Sequence, residues 1–136
     1  MKTIGIGVDM VENKRIQTSI KNKNFIYRIF SKNEILNSNK ITNKTNYFSK
    51  RFAAKEALAK AIGTGFSGGL NFKDIQVINN SQGKPYYLNS SKLNDFIMKK
   101  KKVKNFNLFL SISDEKQYSI AFAIIQTTKW YPKKLF

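Results

Sequence analysis

Residues 49–69, SKRFAAKEALAKAIGTGFSGG, read as a helix that runs out into a glycine-rich loop. Ser49 has the chemistry of an N-cap, and the Ala and Leu content gives the segment high helical propensity. Gly63 is placed to close the helix as a C-cap, with Gly65, Gly68 and Gly69 beyond it. On a helix, Phe52, Glu56, Lys60 and Gly63 fall on one face, which lines up a carboxylate, an ammonium and a glycine opening. Alanines at 53, 54, 57, 59 and 61 let another stretch of backbone come close. A helix that only filled a core would carry larger apolar side chains there. Glu56 and Lys60 also have the spacing of an ordinary ion pair on an exposed helix, so spacing alone leaves both readings open.

The chain has 136 residues, 41% of them hydrophobic and 13% aromatic, which is enough for one globular domain over 1–136 with a real core. Its longest apolar runs fall short of a membrane span, and Met1–Gly5 lacks the apolar centre of a signal peptide. The expectation is a soluble cytoplasmic protein with no membrane contact. There is no Cys and no His. That excludes disulfides, Ser-His-Asp and Cys-His catalysis, and the usual zinc sites. Carboxylates, Lys, Arg, hydroxyls and backbone amides remain, a set suited to a hard cation such as Mg²⁺ and a phosphorylated substrate.

The net charge of +17 favours anionic partners. Many lysines lie in polar runs such as Lys99–Lys102, which read equally as a solvated surface or as a binding patch. A basic nucleic-acid-binding module is the alternative this charge suggests. It lacks a motif of its own, with no RNP-like block and no zinc spacing, so no specific nucleic-acid partner is expected. With eight acids in the whole chain, each carboxylate carries information.

Residues 3–11, TIGIGVDMV, alternate as a strand and put Asp9 on the same side as Gly5 and Gly7. Strand glycines mark a close approach of backbone or ligand, while the Asp also fits a surface position. A short helix is expected over 12–21 with Val11 and Ile16 inward, then an apolar helical pattern over Phe25–Phe30. Ser31 to Glu34 has capping-box spacing and opens another helix, and residues 37–46 read as a loop. Ile75–Ile78 and Pro85–Leu88 flank turn chemistry at Asn79–Gly83, which predicts a hairpin. Ser90 or Ser91 caps a helix with Leu93, Phe96 and Ile97 on its apolar face and four lysines at its end. Phe106–Ile112 and Tyr118–Gln126 are the clearest strands, and the tail 129–136 has no usable period. The order gives an α+β fold, and Gly5-x-Gly7 lacks the third glycine of a dinucleotide fingerprint.

Five blocks in this order carry a resemblance: GIGVDMVENKRI (5–16), FAAKEALAKAIGTG (52–65), KDIQV (73–77), GKP (83–85) and SIS (111–113). They resemble the holo-acyl-carrier-protein synthases, the short phosphopantetheinyl transferases of bacterial type. The resemblance covers nearly the whole chain; its first two blocks are specific together, and KDIQV or GKP alone is weak. It implies the phosphopantetheinyl transferase fold, a mostly antiparallel sheet packed with one long central helix and several short ones. It implies Mg²⁺-dependent transfer of phosphopantetheine from coenzyme A to a serine of apo acyl carrier protein, for fatty acid synthesis, with an adenosine bisphosphate leaving.

By the same resemblance, Asp9 and Glu56 are the metal ligands. Glu56 or a metal-bound water is the base, and Lys60 is a catalytic residue that reaches the phosphates. Coenzyme A is expected at Arg51, Lys60, Gly63, Gly65, Gly83, Lys84, Pro85 and Ser113. The acidic carrier protein is expected on Arg15, with Lys14, Lys21 and Lys23 adding charge. A homotrimer with active sites between subunits is implied in the same way. One departure stands out: Asp114 occupies the place of a family His near the nucleotide, where a carboxylate would repel phosphate. An inactive relative kept as a scaffold is the alternative that this departure raises.

Overall fold

The long helix begins earlier than its sequence signals. The computed structural model describes residues 1–127, and the tail 129–136 lies outside the described residues. In it α4 spans Lys44–Ile62, and Asn43, not Ser49, is the N-cap, its side chain accepting the Asn46 N–H at 3.0 Å. Ser49 is a fully buried interior residue. The expected loop 37–46 is therefore only 39–43, because α3 runs to Ser38 and Tyr47 and Phe48 bury in the core and carry α4 backwards. The C-terminal end is as expected: Gly63 adopts φ 94° and its N–H bonds to Ala59 O at 3.1 Å.

Around α4 the order is β1 (Lys2–Glu12), α1 (Asn13–Ser19), α2 (Lys23–Ile29) and α3 (Lys32–Ser38), then α4. A 3-10 turn at Phe72–Asp74, β2 (Val77–Asn79), β3 (Pro85–Tyr87), α5 (Ser91–Lys101), β4 (Asn107–Asp114) and β5 (Tyr118–Thr127) follow. The helix expected over 12–21 is shorter, and Lys21 lies past its end in the turn before α2. Strand β2 sits two residues later than expected, since Ile75 caps the 3-10 turn. One antiparallel sheet has the order β1-β5-β4, and β2 pairs with β3 in a second. The architecture is α+β.

The main sheet lies against α4, and small residues bring the two together. Ala53, Ala54, Ala57 and Ala61 are buried on the helix, and Ala121 and Ala123 on β5. A Cβ added to Gly7 would stand 1.9 Å from Ala57 O, and one on Gly5 would stand 2.3 Å from Ala61 O. These contacts leave no room for any side chain. The other half of the β1 alternation points away from the core: Ile6, Val8 and Met10 are 59%, 52% and 62% exposed. Phe109, Tyr118, Ile120 and Phe122 extend the same outer face as an apolar sheet surface.

Behind α4 lies a buried ion pair. Lys55 Nζ and Glu34 Oε1 are 2.7 Å apart, and both side chains are 0% exposed. The Lys55 ammonium also donates to Phe72 O at 3.0 Å and to Ile75 O, so its three N–H groups all have acceptors. Glu34 accepts the Ser31 N–H on Oε1 and the Val77 N–H on Oε2. The capping box legible in the sequence is thus one part of a node that joins α3, α4, the 3-10 turn and β2. Burial pushes the Lys55 ammonium down from its ordinary value and Glu34 opposes that shift.

Candidate active site

Strand β1 and helix α4 bring two carboxylates to the same end of their contact. Asp9 follows Gly5 and Gly7 on the inner face of β1, opposite Ala121 of β5. Glu56 is half-buried on α4, between the Ala53 and Ala57 turns. Burial holds the Glu56 carboxyl above the usual carboxylate range, and the Asp9 charge adds to that effect. Lys60 and Arg15 pull it back. Asp9, Lys60 and Arg15 are thus the charges that act on Glu56.

Lys60 does not pair with Glu56, the partner that helical spacing offered. Its ammonium crosses to β1, donating to Val8 O at 3.0 Å and to Asp9 Oδ1 at 3.1 Å. The Lys60 side chain is 54% exposed and Asp9 15%, so Lys60 keeps an open side toward solvent. Two hard carboxylates in one locale, Asp9 and the half-buried Glu56, are a donor set suited to a divalent cation. Among the described residues no group of three or more acidic, His or Cys side chains gathers. The oxygen donors of Asp9 and Glu56 are of the hard kind that a Mg²⁺ would take.

Arg15 lies on α1 beside this pair, its guanidinium carbon 5.8 Å from the centre of the Phe52 ring. Lys14, within α1, and Lys21, after it, are exposed. Gly63 and Gly65 open the loop after α4 at φ 94° and 58°, and a Cβ on either would meet open space.

The remaining candidates divide into two further places. Arg51 is 7% exposed, stacks 3.6 Å over Tyr47 and donates from Nη2 to Asn79 Oδ1 at 2.6 Å. Asn79 Nδ2 in turn donates to Gly83 O at 2.9 Å. Arg51 is thus joined to the Gly83-Lys84-Pro85 turn through one asparagine. Ser113 lies elsewhere again: opposite Ile120, it sits on the outer, exposed face of the sheet, away from α4. Asp114 turns inward and accepts a hydrogen bond from Asn46 Nδ2 at 2.5 Å. The carboxylate that departs from the family pattern is therefore tied to α4.

The structure adds residues that spacing did not single out. Asn13 donates from Nδ2 to Glu115 O and Lys116 O, at 2.9 and 3.1 Å, and accepts from Ser119 Oγ at 2.9 Å. It clamps the β4–β5 turn to the start of α1. Its signal in the sequence was an asparagine at the strand-to-helix junction. Asn46 and Asn79 gave no signal beyond turn composition.

A profile of the 4'-phosphopantetheinyl transferase superfamily matches residues 5–123. The chain belongs to this superfamily. The holo-[acyl-carrier-protein] synthase of Pelagibacter ubique is 60% identical over 126 residues, covering 93% of this chain and 98% of that protein. The crystal structure of the Neisseria meningitidis holo-[acyl-carrier-protein] synthase superposes with a TM-score of 0.81 at 35% identity, over 92% of this chain and 99% of that one. The Bacillus anthracis synthase, solved in complex with CoA (3',5'-ADP), gives a TM-score of 0.78 at 31% identity over 94% and 100% of the two chains. Two of the transferase superfamily's solved members thus share the α+β arrangement described above.

Proposed function

We propose that this chain, working as one transferase domain, moves the phosphopantetheine arm of coenzyme A onto a serine hydroxyl of an apo acyl carrier protein. The observation that carries the reading is the Asp9–Glu56 carboxylate pair, with Lys60 bridged to Asp9, in a chain of this superfamily. The serine oxygen forms a bond to the phosphorus that bears pantetheine. The bond from that phosphorus to the adenosine bisphosphate oxygen breaks, and the bisphosphate leaves with the electron pair. Glu56 takes the serine proton; its partly buried carboxyl is a stronger base than a solvated one. Lys60, with its exposed ammonium, turns a free N–H to the phosphate oxygens and stabilises the charge that builds there.

Asp9 and Glu56 would hold a Mg²⁺, which supplies Lewis-acid neutralisation of the pyrophosphate. Gly63 and Gly65 leave room for the coenzyme at the end of α4. Arg51, Gly83, Lys84 and Pro85 form the proposed nucleotide end. Exposed Arg15, Lys14 and Lys21 offer charge to an acidic carrier protein, with salt-sensitive encounter expected.

Ser113 faces away from its own chain's Glu56, so it serves a site only if another copy brings it there. The exposed apolar outer face of the sheet supports that arrangement, a homotrimer with sites between subunits. No helix of the described residues is long and apolar enough to cross a membrane, and the cytoplasm, where coenzyme A and carrier protein meet, is the proposed place of action. The test is intact-mass spectrometry of apo acyl carrier protein after incubation with this chain, coenzyme A and Mg²⁺, with a chelator control. A chelator-sensitive gain of one phosphopantetheine is expected. No gain from a folded protein would reject the reading.

A further inference from the structure

We propose that Lys55, which no step above uses, is a positioning residue that fixes the glycine-rich loop 63–71 against α4 and so shapes the coenzyme end of the site. Hydrogen bonds fix both ends of the loop. Its start is fixed by the Gly63 N–H on Ala59 O at 3.1 Å. Its far end is fixed by Lys55, whose ammonium takes Phe72 O at 3.0 Å and also Ile75 O. Between these anchors Gly65, Gly68 and Gly69 have positive φ, a conformation that gives the loop little stiffness of its own. Of the two bulky loop residues, Leu70 is buried in the core, and Phe66 stacks on Phe72 with centroids 3.7 Å apart. Phe72 in turn stacks on Phe52 at 5.7 Å, one turn before Glu56. The Lys55 anchor therefore reaches the loop through Phe72 and Phe66, and Glu34 keeps the ammonium aimed at 2.7 Å.

Packing alone does not call for this arrangement. A buried ion pair carries a desolvation penalty that apolar residues of similar volume avoid, and its best-attested return is a unique geometry. Here that geometry is two carbonyls at the root of the loop. The statement about coenzyme rests on the transfer activity proposed above; the statement about the loop does not.

Lys55→Met alone strands the Glu34 charge, so the informative protein is the full chain with Glu34→Gln and Lys55→Met together. That variant leaves neither charge of the pair stranded, and the Gln oxygen can still accept one of the two N–H groups, Ser31 or Val77, that Glu34 accepts. Two readouts are made: steady-state kinetics with coenzyme A and carrier protein, and amide hydrogen exchange resolved by segment. The expected result is at least a tenfold rise in KM for coenzyme A with KM for carrier protein within about twofold. Exchange at residues 63–76 speeds up at least tenfold while β1 and β5 keep their protection. A folded variant with unchanged KM for coenzyme A and unchanged exchange over 63–76 overturns the proposal, as does a rise in exchange spread evenly over the chain. A double variant that no longer folds also overturns it, since the pair would then be a determinant of folding and not of loop position. If the unmodified chain transfers nothing, the transfer reading fails while the exchange arm still decides the anchor.

Discussion

Two lysines five residues apart on α4 each meet an acid from another element, and they do opposite work. Lys55 and Glu34 are 2.7 Å apart with both side chains wholly buried, and every ammonium proton is committed. Lys60 and Asp9 are 3.1 Å apart with the lysine 54% exposed, and one side of the ammonium stays open. Burial makes the first pair an immovable part of the frame. Exposure makes the second exchangeable, because water and an incoming anion or cation can take either partner's place at low cost. The helix thus carries a fixed contact and a replaceable one, and chemistry is expected only at the second.

The contrast can be broken most violently at the buried end. Lys55→Met leaves Glu34 charged without its counterion and should lower stability by about 3–5 kcal/mol, read from the urea midpoint. A loss under 1 kcal/mol would show that the pair is not the frame. At the exposed end, Glu56→Gln or Asp9→Asn should cut transfer by about 100-fold or more, roughly 3 kcal/mol of barrier, while the chain stays folded with no large drop in melting temperature. Equal loss of activity and stability would erase the distinction between the two ends. Gly7→Ala attacks the contact between strand and helix and should cost about 1–3 kcal/mol, with activity falling alongside; circular dichroism melts and turnover on the same sample check both.

Lys60→Ala should change stability by less than about 1 kcal/mol, as an exposed pair does, while transfer drops by a larger factor. The smallest effect is in pH. The Glu56 carboxyl is held above its unfolded value, so the metal-free native chain keeps a proton that the unfolded chain has already lost. Stability should therefore fall as pH rises from the ordinary carboxylate range through the raised Glu56 value, and then level off. Glu56→Gln should flatten that decline in urea midpoints measured across the interval.

What the sequence disclosed and withheld follows the same division. Strand periodicity placed β1, β4 and β5, and the glycines of β1 with the alanines of α4 announced that two backbones meet. Asp9 and Glu56 stood out because acids are few. The start of α4 was hidden, because Thr45 and Asn46 have little helical propensity and the turn is held by burial of Tyr47 and Phe48. The partner of Lys60 was hidden because helical spacing offered Glu56 while the strand supplied Asp9. Lys55 was the least legible of all, a lysine among alanines whose burial depends on elements at residues 34, 72 and 75. Local pattern reads one element at a time; these contacts are agreements among several.

The absence of side chains at Gly5 and Gly7 means that the interval between Asp9 and Glu56 is a gauge block made of main chain alone. Most neighbouring elements in a protein are separated by cushions of rotamers, which can settle by tenths of an ångström when a residue changes or the temperature rises. At Gly5 and Gly7 no side chain lies between strand and helix. A disturbance elsewhere in the core can tilt or shift the two together, but it has little means of opening or closing the gap between their carboxylates.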